Sequence, residues 1–325
     1  SFIFVLFSQL LTNRFVSQTK DGNIIVPGKI NMETSKILQT PPRVLAQNKR
    51  KEYFEKGFVT LEDIIPVEWI NKLSICSDRL LDESRTLEES NDAFDLGPNH
   101  NDQSPHVRRL KALVDRDPVY WEFASESLLG DVAADLVGPD VKFHSSKLNY
   151  KWPGNGEIVK WHQDIPAWPH TNYSPVTLGV YLEDVTEVNG PLVSIPKSHD
   201  GPLFFHADQK GQWTGTINEN DLEDVDQNSA EAMIGGAGSV VAINCRTIHS
   251  SAENLSAKVR PVALFVYSSA DAFAWMPQPT PTSKTGQIIR GSPARLAHLD
   301  SRPCPVPPNW EKEGYNSIFS AQKDN

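Results

Sequence analysis

The chain has 325 residues and a hydrophobic fraction of 39%, which is enough to bury the core of a large folded domain. Its formal net charge of −10 at pH 7 and the lack of a basic stripe argue against a nucleic-acid partner. Cys76, Cys245 and Cys304 lie far apart without a CxxC spacing. The sequence therefore predicts neither a disulfide framework nor a zinc site, and a reducing cytoplasm is the expected setting.

An apolar run at residues 2–11 opens the chain. It is shorter than the roughly 20 residues of a membrane span, so we expect no membrane association. No basic residue precedes the run, and no A-x-A cleavage site follows it. Because Met32 begins a stretch that is typical of an ordinary N-terminus, residues 1–31 are interpreted as a mis-assigned start or a dispensable extension. A real targeting segment is the alternative.

The part from about 45 to 137 is expected to be mainly helical. Helical periodicity occurs at 45–57 and 67–82, and the segment FVTLEDIIP between them predicts a short strand and a turn. A further helix is expected at 117–137. The polar stretch 84–108 is rich in Asp, Asn and Ser, which predicts a mobile loop.

From about residue 140 to 270 the pattern changes to short segments rich in Val, Ile, Leu and Tyr, separated by Gly, Pro, Asn and Asp. Many short strands with turn signals predict a jelly roll. The expected fold class is therefore mainly β with α: a double-stranded β-helix (cupin-like) core with packed helices. A long polar insertion at 200–232 and an irregular, Pro-rich tail at 271–325 complete a single expected domain over 32–325.

A candidate metal site lies in the segment IVKWHQD, where His162 and Asp164 are two residues apart. On a strand, residues i and i+2 project from the same face, so an imidazole and a carboxylate would point to one spot. His249, at the end of another strand-like segment, is the best third candidate. Two histidines and one carboxylate form the facial triad of non-haem Fe(II) oxygenases, which leaves coordination positions open.

The sequence contains observations both against and in favour of a metal site. An HxD pair is frequent by chance, and a buried His beside an Asp is commoner than a metal site. His144, His170, His199 and His206 compete for the role of third ligand. In favour, Arg260 follows His249 by eleven residues, and its planar fork suits a carboxylate, although a lone Arg on a strand is usually a surface ion pair.

These residues, taken together, resemble the phytanoyl-CoA dioxygenase family, which also contains ectoine hydroxylase. The resemblance rests on HQD at 162–164, LGVYLEDVTEVNGPLVSIPKSH at 178–199, GGAGSVVAIN and HSSAENLSAKVRP at 249–261, with EYFEKGFVTLEDII at 52–65. It covers about residues 45–270 and implies a double-stranded β-helix with helices outside. It also implies an Fe(II)- and 2-oxoglutarate-dependent dioxygenase that uses O2 to hydroxylate an unactivated C–H bond of a small-molecule metabolite, releasing succinate and CO2.

The resemblance assigns Fe(II) to the triad and the distal carboxylate of 2-oxoglutarate to Arg260. Gln163, between two ligands, is expected to contact the co-substrate. Lys147 and Tyr181 fall near positions that line the co-substrate pocket in relatives, and the alternative for each is a wall or core residue. Gly190 is expected to supply the special dihedral angles of a turn before a strand.

Substrate contacts are less well specified. Trp168 and His170 follow the metal motif directly and either line the pocket or pack within a loop. Halogenases of this superfamily carry a small residue in place of Asp164, so hydroxylation is expected over halogenation. Two alternatives stay open: a non-oxygenase cupin-like metalloenzyme, for which no fourth ligand is evident, and a catalytically silent binding homologue, which would lack a ligand or the Arg.

Overall fold

The structure is a computed structural model that describes residues 32–154, 157–315 and 318–322, together with two short paired strands, β1 (Ser17–Gln18) and β2 (Ile24–Ile25). The interpretation of residues 1–31 falls almost entirely outside the described residues. Within the described residues, no helix combines the length and the apolar character that crossing a membrane requires.

The longer helices lie in the first half of the chain. The helices are α1 (Met32–Gln39), α2 (Gln47–Lys56), α3 (Val67–Glu83), α4 (Pro118–Glu126), α5 (Leu129–Val137), α6 (Glu219–Leu222), α7 (Trp310–Glu313) and α8 (Ile318–Ala321). The helices expected at 45–57 and 67–82 are confirmed as α2 and α3. The single helix expected at 117–137 is wrong, because the extended backbone of Ser127 (ψ 173°) separates α4 from α5.

The strands form two antiparallel sheets. They are β3 (Phe58–Leu61), β4 (Phe94–Leu96), β5 (Val107–Lys111), β6 (Val141–Lys151), β7 (Val159–His162), β8 (Val176–Tyr181), β9 (Leu192–Ser194), β10 (Glu231–Met233), β11 (Val240–Asn244), β12 (His249–Ser251), β13 (Arg260–Ser269) and β14 (Ile288–Arg290). The larger sheet has the order β3-β11-β8-β13-β6-β5-β4, with β14 beside β6. The smaller sheet has the order β10-β9-β12-β7. This arrangement confirms the double-stranded β-helix with packed helices.

Strand β13 shows how the larger sheet separates a helix-covered face from an inner face. Successive side chains of a strand point to opposite faces. Phe265 packs against Phe123 of α4 at a ring distance of 5.3 Å, on the outer face. Arg260, Val262 and Leu264 alternate with these core positions and line an internal cavity. The apolar outer face thus anchors the sheet, while polar residues can be presented inside.

The stretch 84–108, expected as a mobile loop, is mostly irregular but includes strand residues that join the larger sheet. It contains β4 and the start of β5, which pair with each other, and β5 pairs with β6. Just before β4, the side-chain oxygen of Asn91 accepts hydrogen bonds from the backbone N–H groups of Ala93 and Phe94. Buried Arg108 forms an ion pair of 3.1 Å with Asp95. Polar composition was misleading here because these polar groups satisfy one another inside the protein.

The tail from residue 271 has long irregular stretches but is attached to the domain. Strand β14 pairs with β6. The indole of Trp310 donates to the carbonyl oxygen of Ala167 at 2.8 Å. The side-chain amide of Gln322 donates to the carbonyl oxygen of Gly215. Tail residues therefore pack beside the segment that follows the HxD motif.

Candidate metal centre and active site

The two candidate histidines are brought together by strand pairing. His162 is the last residue of β7 and His249 is the first of β12, and the two are direct register partners in the smaller sheet. Asp164 lies beyond the end of β7, where it precedes a short 3-10 turn at Ile165–Ala167. The expectation that His162 and Asp164 share one strand is therefore wrong in detail, since a turn directs the carboxylate towards the imidazoles.

The donor atoms of these three residues converge. Asp164 Oδ1 lies 4.0 Å from Nε2 of His162 and 4.0 Å from Nε2 of His249, and the three ligand atoms all lie within 4.8 Å of one another. Metal bonds to nitrogen and oxygen are roughly 2.1 Å, so atoms about 4 Å apart can share one ion after a small side-chain shift. Among the described residues, this is the one group of three or more His, Cys, Asp or Glu side chains with such geometry.

Neighbouring groups orient each ligand. The Nδ1 atoms of His162 and His249 each lie 2.9 Å from a backbone carbonyl oxygen, of Lys160 and Thr247 respectively. An N–H on Nδ1 that donates to a carbonyl leaves Nε2 free of a proton and able to bind a metal. Thr177 donates to Asp164 Oδ2 at 2.8 Å, which leaves Oδ1 directed at the imidazoles.

The electrostatics of the site keep the ligands in their metal-binding forms. Burial is the largest effect on His162 and, together with the neighbouring His249, holds its pKa well below the ordinary value. Burial alone would raise the pKa of Asp164, but His249, Lys147 and His162 and the Thr177 hydrogen bond outweigh it and lower that pKa. A neutral imidazole and an ionised carboxylate are the states that bind a metal ion.

The competing histidines are placed elsewhere. His206 uses Nε2 to accept the backbone N–H of Gln163 at 2.9 Å. His144 contacts Ser145 and Gln278 through its two ring nitrogens, and the His199 ring contacts the carbonyl oxygen of Phe54. None of the three belongs to the converging group of metal-ligand atoms found among the described residues.

A cavity of about 80 Å³ opens beside the triad, between the inner faces of the two sheets. Arg260, Lys147 and Trp168 are among its lining residues. Arg260 is buried, donates from Nη2 to the carbonyl oxygen of Gly190 at 2.6 Å, and has a buried Nε with no hydrogen-bond partner. Gly190 has the positive φ (76°) expected of its turn, and a Cβ there would collide with Lys151. The cavity thus holds a guanidinium with unused hydrogen-bonding capacity.

Three of the other predicted residues form hydrogen bonds or packing contacts with neighbouring parts of the protein. The Gln163 side chain lines the cavity, but its amide bonds to Pro202, Arg246 and Phe204 and fastens the loop between the ligands. Tyr181 is fully buried, donates to the carbonyl oxygen of Met233 at 2.5 Å, and is not part of the cavity wall. His170 is buried against His144 and Trp168, also outside the wall.

Sequence reasoning missed several lining residues. Arg109 lies on β5, next to the stretch that was interpreted as a loop. Lys151 is the register partner of Arg260 on β6. Trp213 comes from the 200–232 insertion and Tyr315 comes from the tail, and His206, which was considered only as a metal ligand, also lines the cavity. The alternation of β5 and β6 could have indicated Arg109 and Lys151, whereas the insertion and tail residues carry no local signal.

Known proteins with similar sequences share one class of chemistry. The chain is 27% identical to a "Probable alpha-ketoglutarate-dependent hypophosphite dioxygenase" of Stutzerimonas stutzeri, over 85% of this chain and 96% of that protein. It is 29% identical to an ectoine dioxygenase of Sphingopyxis alaskensis, over 66% of this chain and 72% of that protein. The solved structure of EctD from S. alaskensis with 2-oxoglutarate and 5-hydroxyectoine has the same fold (TM-score 0.63, 23% identity, 88% of this chain and 98% of that one).

The fold, the triad and these relatives define a 2-oxoglutarate-dependent, non-haem iron dioxygenase, which uses Fe, 2-oxoglutarate and O2. Residues 53–262 match the model of the phytanoyl-CoA dioxygenase (PhyH) family, and the chain belongs to this family. These findings argue against both alternative hypotheses, a catalytically silent binding homologue and a non-oxygenase cupin-like metalloenzyme.

Proposed function

We propose that this enzyme hydroxylates a small-molecule substrate, with Fe(II) held by His162, Asp164 and His249 and with 2-oxoglutarate and O2 as co-substrates. The observation that carries the proposal is the convergence of the three donor atoms on one point at the edge of a cavity that also contains Arg260. Because the carboxylate ligand is present, we propose hydroxylation over halogenation.

The residues of the chain would bind and orient the reactants. The three ligands come from adjacent strands and the turn after one of them, so they would hold the ion from the side of the smaller sheet and leave the cavity side for small molecules. Iron and 2-oxoglutarate, when bound, supply the activated oxygen that hydroxylation requires. Arg260 would bind the distal carboxylate of 2-oxoglutarate, because the fork of a guanidinium matches a carboxylate and its Nε is buried without a partner.

The remaining predicted residues take supporting roles in this proposal. Gln163 would hold the loop between the two motif ligands, since its side-chain amide spans three backbone groups. Trp168 would form a wall of the substrate pocket. Tyr181 would support Arg260 from the core, and His170 would pack behind Trp168.

A small substrate is favoured by what the similar proteins are described as acting on. The relatives named above are described as acting on hypophosphite and ectoine, which are both small. We therefore propose a substrate of similar size.

The proposal is tested by measuring succinate release from 2-oxoglutarate by the Fe(II)-loaded protein across a panel of small metabolites that includes ectoine and hypophosphite. We expect at least one member to stimulate succinate release, and Asp164→Ala to abolish it. Asp200→Ala, which removes a carboxylate with a 65% exposed side chain outside the cavity, is the matched control and should keep wild-type turnover. Absence of succinate with every compound, together with no binding of 2-oxoglutarate to the Fe(II)-loaded protein, would contradict the proposal.

A further inference from the structure

The side chains that line the cavity beside the triad carry more positive charge than the binding of Fe(II) and 2-oxoglutarate would neutralise. Its basic lining residues are Arg109, Lys147, Lys151 and Arg260, and its acidic lining residue is Asp164. If Fe(II) and the 2-oxoglutarate dianion are bound as proposed above, their charges cancel. Burial, followed by repulsion from Arg260, lowers the pKa of Lys151 to about 7, so this ammonium is only partly charged near neutral pH. The side chains then leave between two and three positive charges in excess inside an enclosed site, where charge is poorly screened.

These basic groups, which lie on β6 and on its two neighbouring strands, enter the cavity at different levels along the direction of β6. Lys151 is the register partner of Arg260 and marks the end of the cavity assigned to the distal carboxylate of 2-oxoglutarate. Lys147 lies four residues earlier on the same strand, about 13 Å away at roughly 3.3 Å per residue, and pairs with Leu264. The register of β5 sets Arg109 opposite Asn149, between these two levels. Because side chains of a strand stand roughly perpendicular to the sheet, Lys147 and Arg260 enter the cavity at different levels.

Lys147 faces the cavity with an unused ammonium group. Its side chain retains accessible surface although the residue is enclosed by the protein, and it lines the cavity. Among the described residues, no hydrogen-bond acceptor contacts its Nζ. Burial, followed by repulsion from Arg109, lowers its pKa to about 8, with attraction by Asp164 acting in the opposite direction. A bound anion would offset the electrostatic repulsion between the Lys147 ammonium and the Arg109 guanidinium.

Arg109 is held in place on the same wall. Its Nε donates to the side-chain oxygen of Asn149 at 3.0 Å, and its guanidinium lies close enough to the Tyr315 phenol of the tail to oppose the rise that burial causes in the pKa of that phenol. Arg109 is 3% exposed, so its orientation is fixed by packing. A preorganised guanidinium beside a flexible ammonium is a suitable receptor for an oxyanion.

We propose that Lys147 and Arg109 form an anion subsite that binds an oxyanion group of the substrate, either a carboxylate or a phosphorus oxyanion. The inference rests on the proposed function, since it assigns Arg260 to 2-oxoglutarate and the Lys147 end to the substrate. It defines the substrate as a small anion or zwitterion. It also revises the expectation that Lys147 contacts 2-oxoglutarate.

The first test is binding of small probes to the protein loaded with Fe(II) and 2-oxoglutarate under anaerobic conditions. Calorimetry would compare acetate and hypophosphite, the two oxyanion sources, with neutral acetamide. We expect at least one oxyanion to bind and acetamide not to bind. If neither oxyanion binds, or if acetamide binds equally well, the subsite is refuted.

Substitutions separate the subsite from co-substrate binding. Lys147→Met should weaken oxyanion binding by roughly 10- to 100-fold and leave the affinity for 2-oxoglutarate within about 3-fold of wild type. Lys147→Arg restores the charge and should recover most of the affinity, which guards against a folding defect. Lys142→Met is the matched control, because Lys142 lies on the same strand, outside the cavity, with its ammonium bonded to Ala270.

The outcomes distinguish this inference from the proposed function. A loss of 2-oxoglutarate affinity in Lys147→Met with unchanged oxyanion binding would show that Lys147 serves the co-substrate and would overturn the inference alone. Failure of the wild-type protein to bind 2-oxoglutarate or to release succinate with any compound would instead overturn the proposed function.

Discussion

At the residue scale, a few hydrogen bonds decide what the triad can do. The Nδ1 contacts of His162 and His249 with backbone carbonyls present Nε2 to a common point, and Thr177 turns the second oxygen of Asp164 away from it. Each ligand is thus oriented before a metal arrives. Such outer contacts are usually worth 10- to 100-fold in metal affinity.

Thr177→Val tests the outer contact of the carboxylate. Valine has nearly the same shape but cannot donate to Asp164, so the carboxylate loses one orienting bond. We expect Fe(II) affinity to fall about 10-fold with little change in thermal stability. An anaerobic Fe(II) titration followed by calorimetry measures this, and an unchanged affinity would show that Thr177 does not orient the ligand.

Arg260→Lys tests the assignment of the distal carboxylate. The substitution keeps the charge but removes the planar fork, so the KM for 2-oxoglutarate should rise about 10- to 100-fold while kcat changes less. Steady-state succinate release at varied 2-oxoglutarate provides the measurement. Lys258→Arg, on the turn before β13, is the control. A KM equal to that of the wild type would place the distal carboxylate elsewhere.

The triad and Arg260 could be predicted at this scale because a short motif and a fixed offset specify them. Alternation along β5 and β6 could have indicated the face on which Arg109 and Lys151 lie, but their position beside Arg260 depends on strand register across β5, β6 and β13. Register is a property of pairing between distant segments and leaves no mark within either segment.

At the scale of elements, helix α5 connects the N-terminal segment to the sheet through a single buried carboxylate. Asp135 accepts the backbone N–H groups of Arg43, Val44 and Leu45 at 2.7, 2.9 and 2.8 Å. The side chain thereby satisfies three donors of the segment that precedes α2. This contact explains how a helix and a remote irregular segment pack as one unit.

Asp135→Ala should destabilise the fold without altering the chemistry. Three backbone donors lose their acceptor, so we expect the free energy of unfolding to fall by about 3 kcal/mol. Denaturant unfolding measures the change. Asp131→Ala on the same helix is the comparison, because the more exposed ion pairs of Asp131 should be worth only about 1 kcal/mol. Equal losses for the two variants would contradict this account.

The elements also show where sequence patterns succeed. Helices α2 and α3 were predicted because helical periodicity is a local signal, which is clearest in α3, where Ile70, Leu73 and Leu80 are buried. Strands β4 and β5 were missed because their segment is polar and its polar side chains are paired inside the protein. Composition cannot distinguish a polar residue that is solvated from one that has found a buried partner.

At the scale of the whole molecule, the tail completes the cavity that the jelly roll begins. Trp310 packs edge-to-face against Trp213 of the insertion at a ring distance of 5.3 Å and bonds to Ala167. Tyr315 and Ile318 line the cavity. The double-stranded β-helix was predictable from alternating segments, but the position of the tail was not, because it depends on contacts between parts of the chain far apart in sequence.

Trp310→Ala therefore tests whether the tail serves the active site. The loss of its packing should loosen the wall around Trp168 and lower kcat/KM for the substrate about 10-fold, while substrate-independent turnover of 2-oxoglutarate persists. The measurement is the ratio of product formed to succinate released. If this ratio and kcat/KM both match those of the wild type, the tail has no role in positioning the substrate.

The central claim is that His162, Asp164 and His249 hold one iron ion. The most direct measurement is the affinity and stoichiometry of anaerobic Fe(II) binding to the wild type and to the three single alanine variants, with His106→Ala, outside the cavity, as control. We predict one Fe(II) per chain for the wild type and control, and an affinity at least 100-fold weaker in each of the three variants. Undiminished Fe(II) binding by any one of the three would contradict the account.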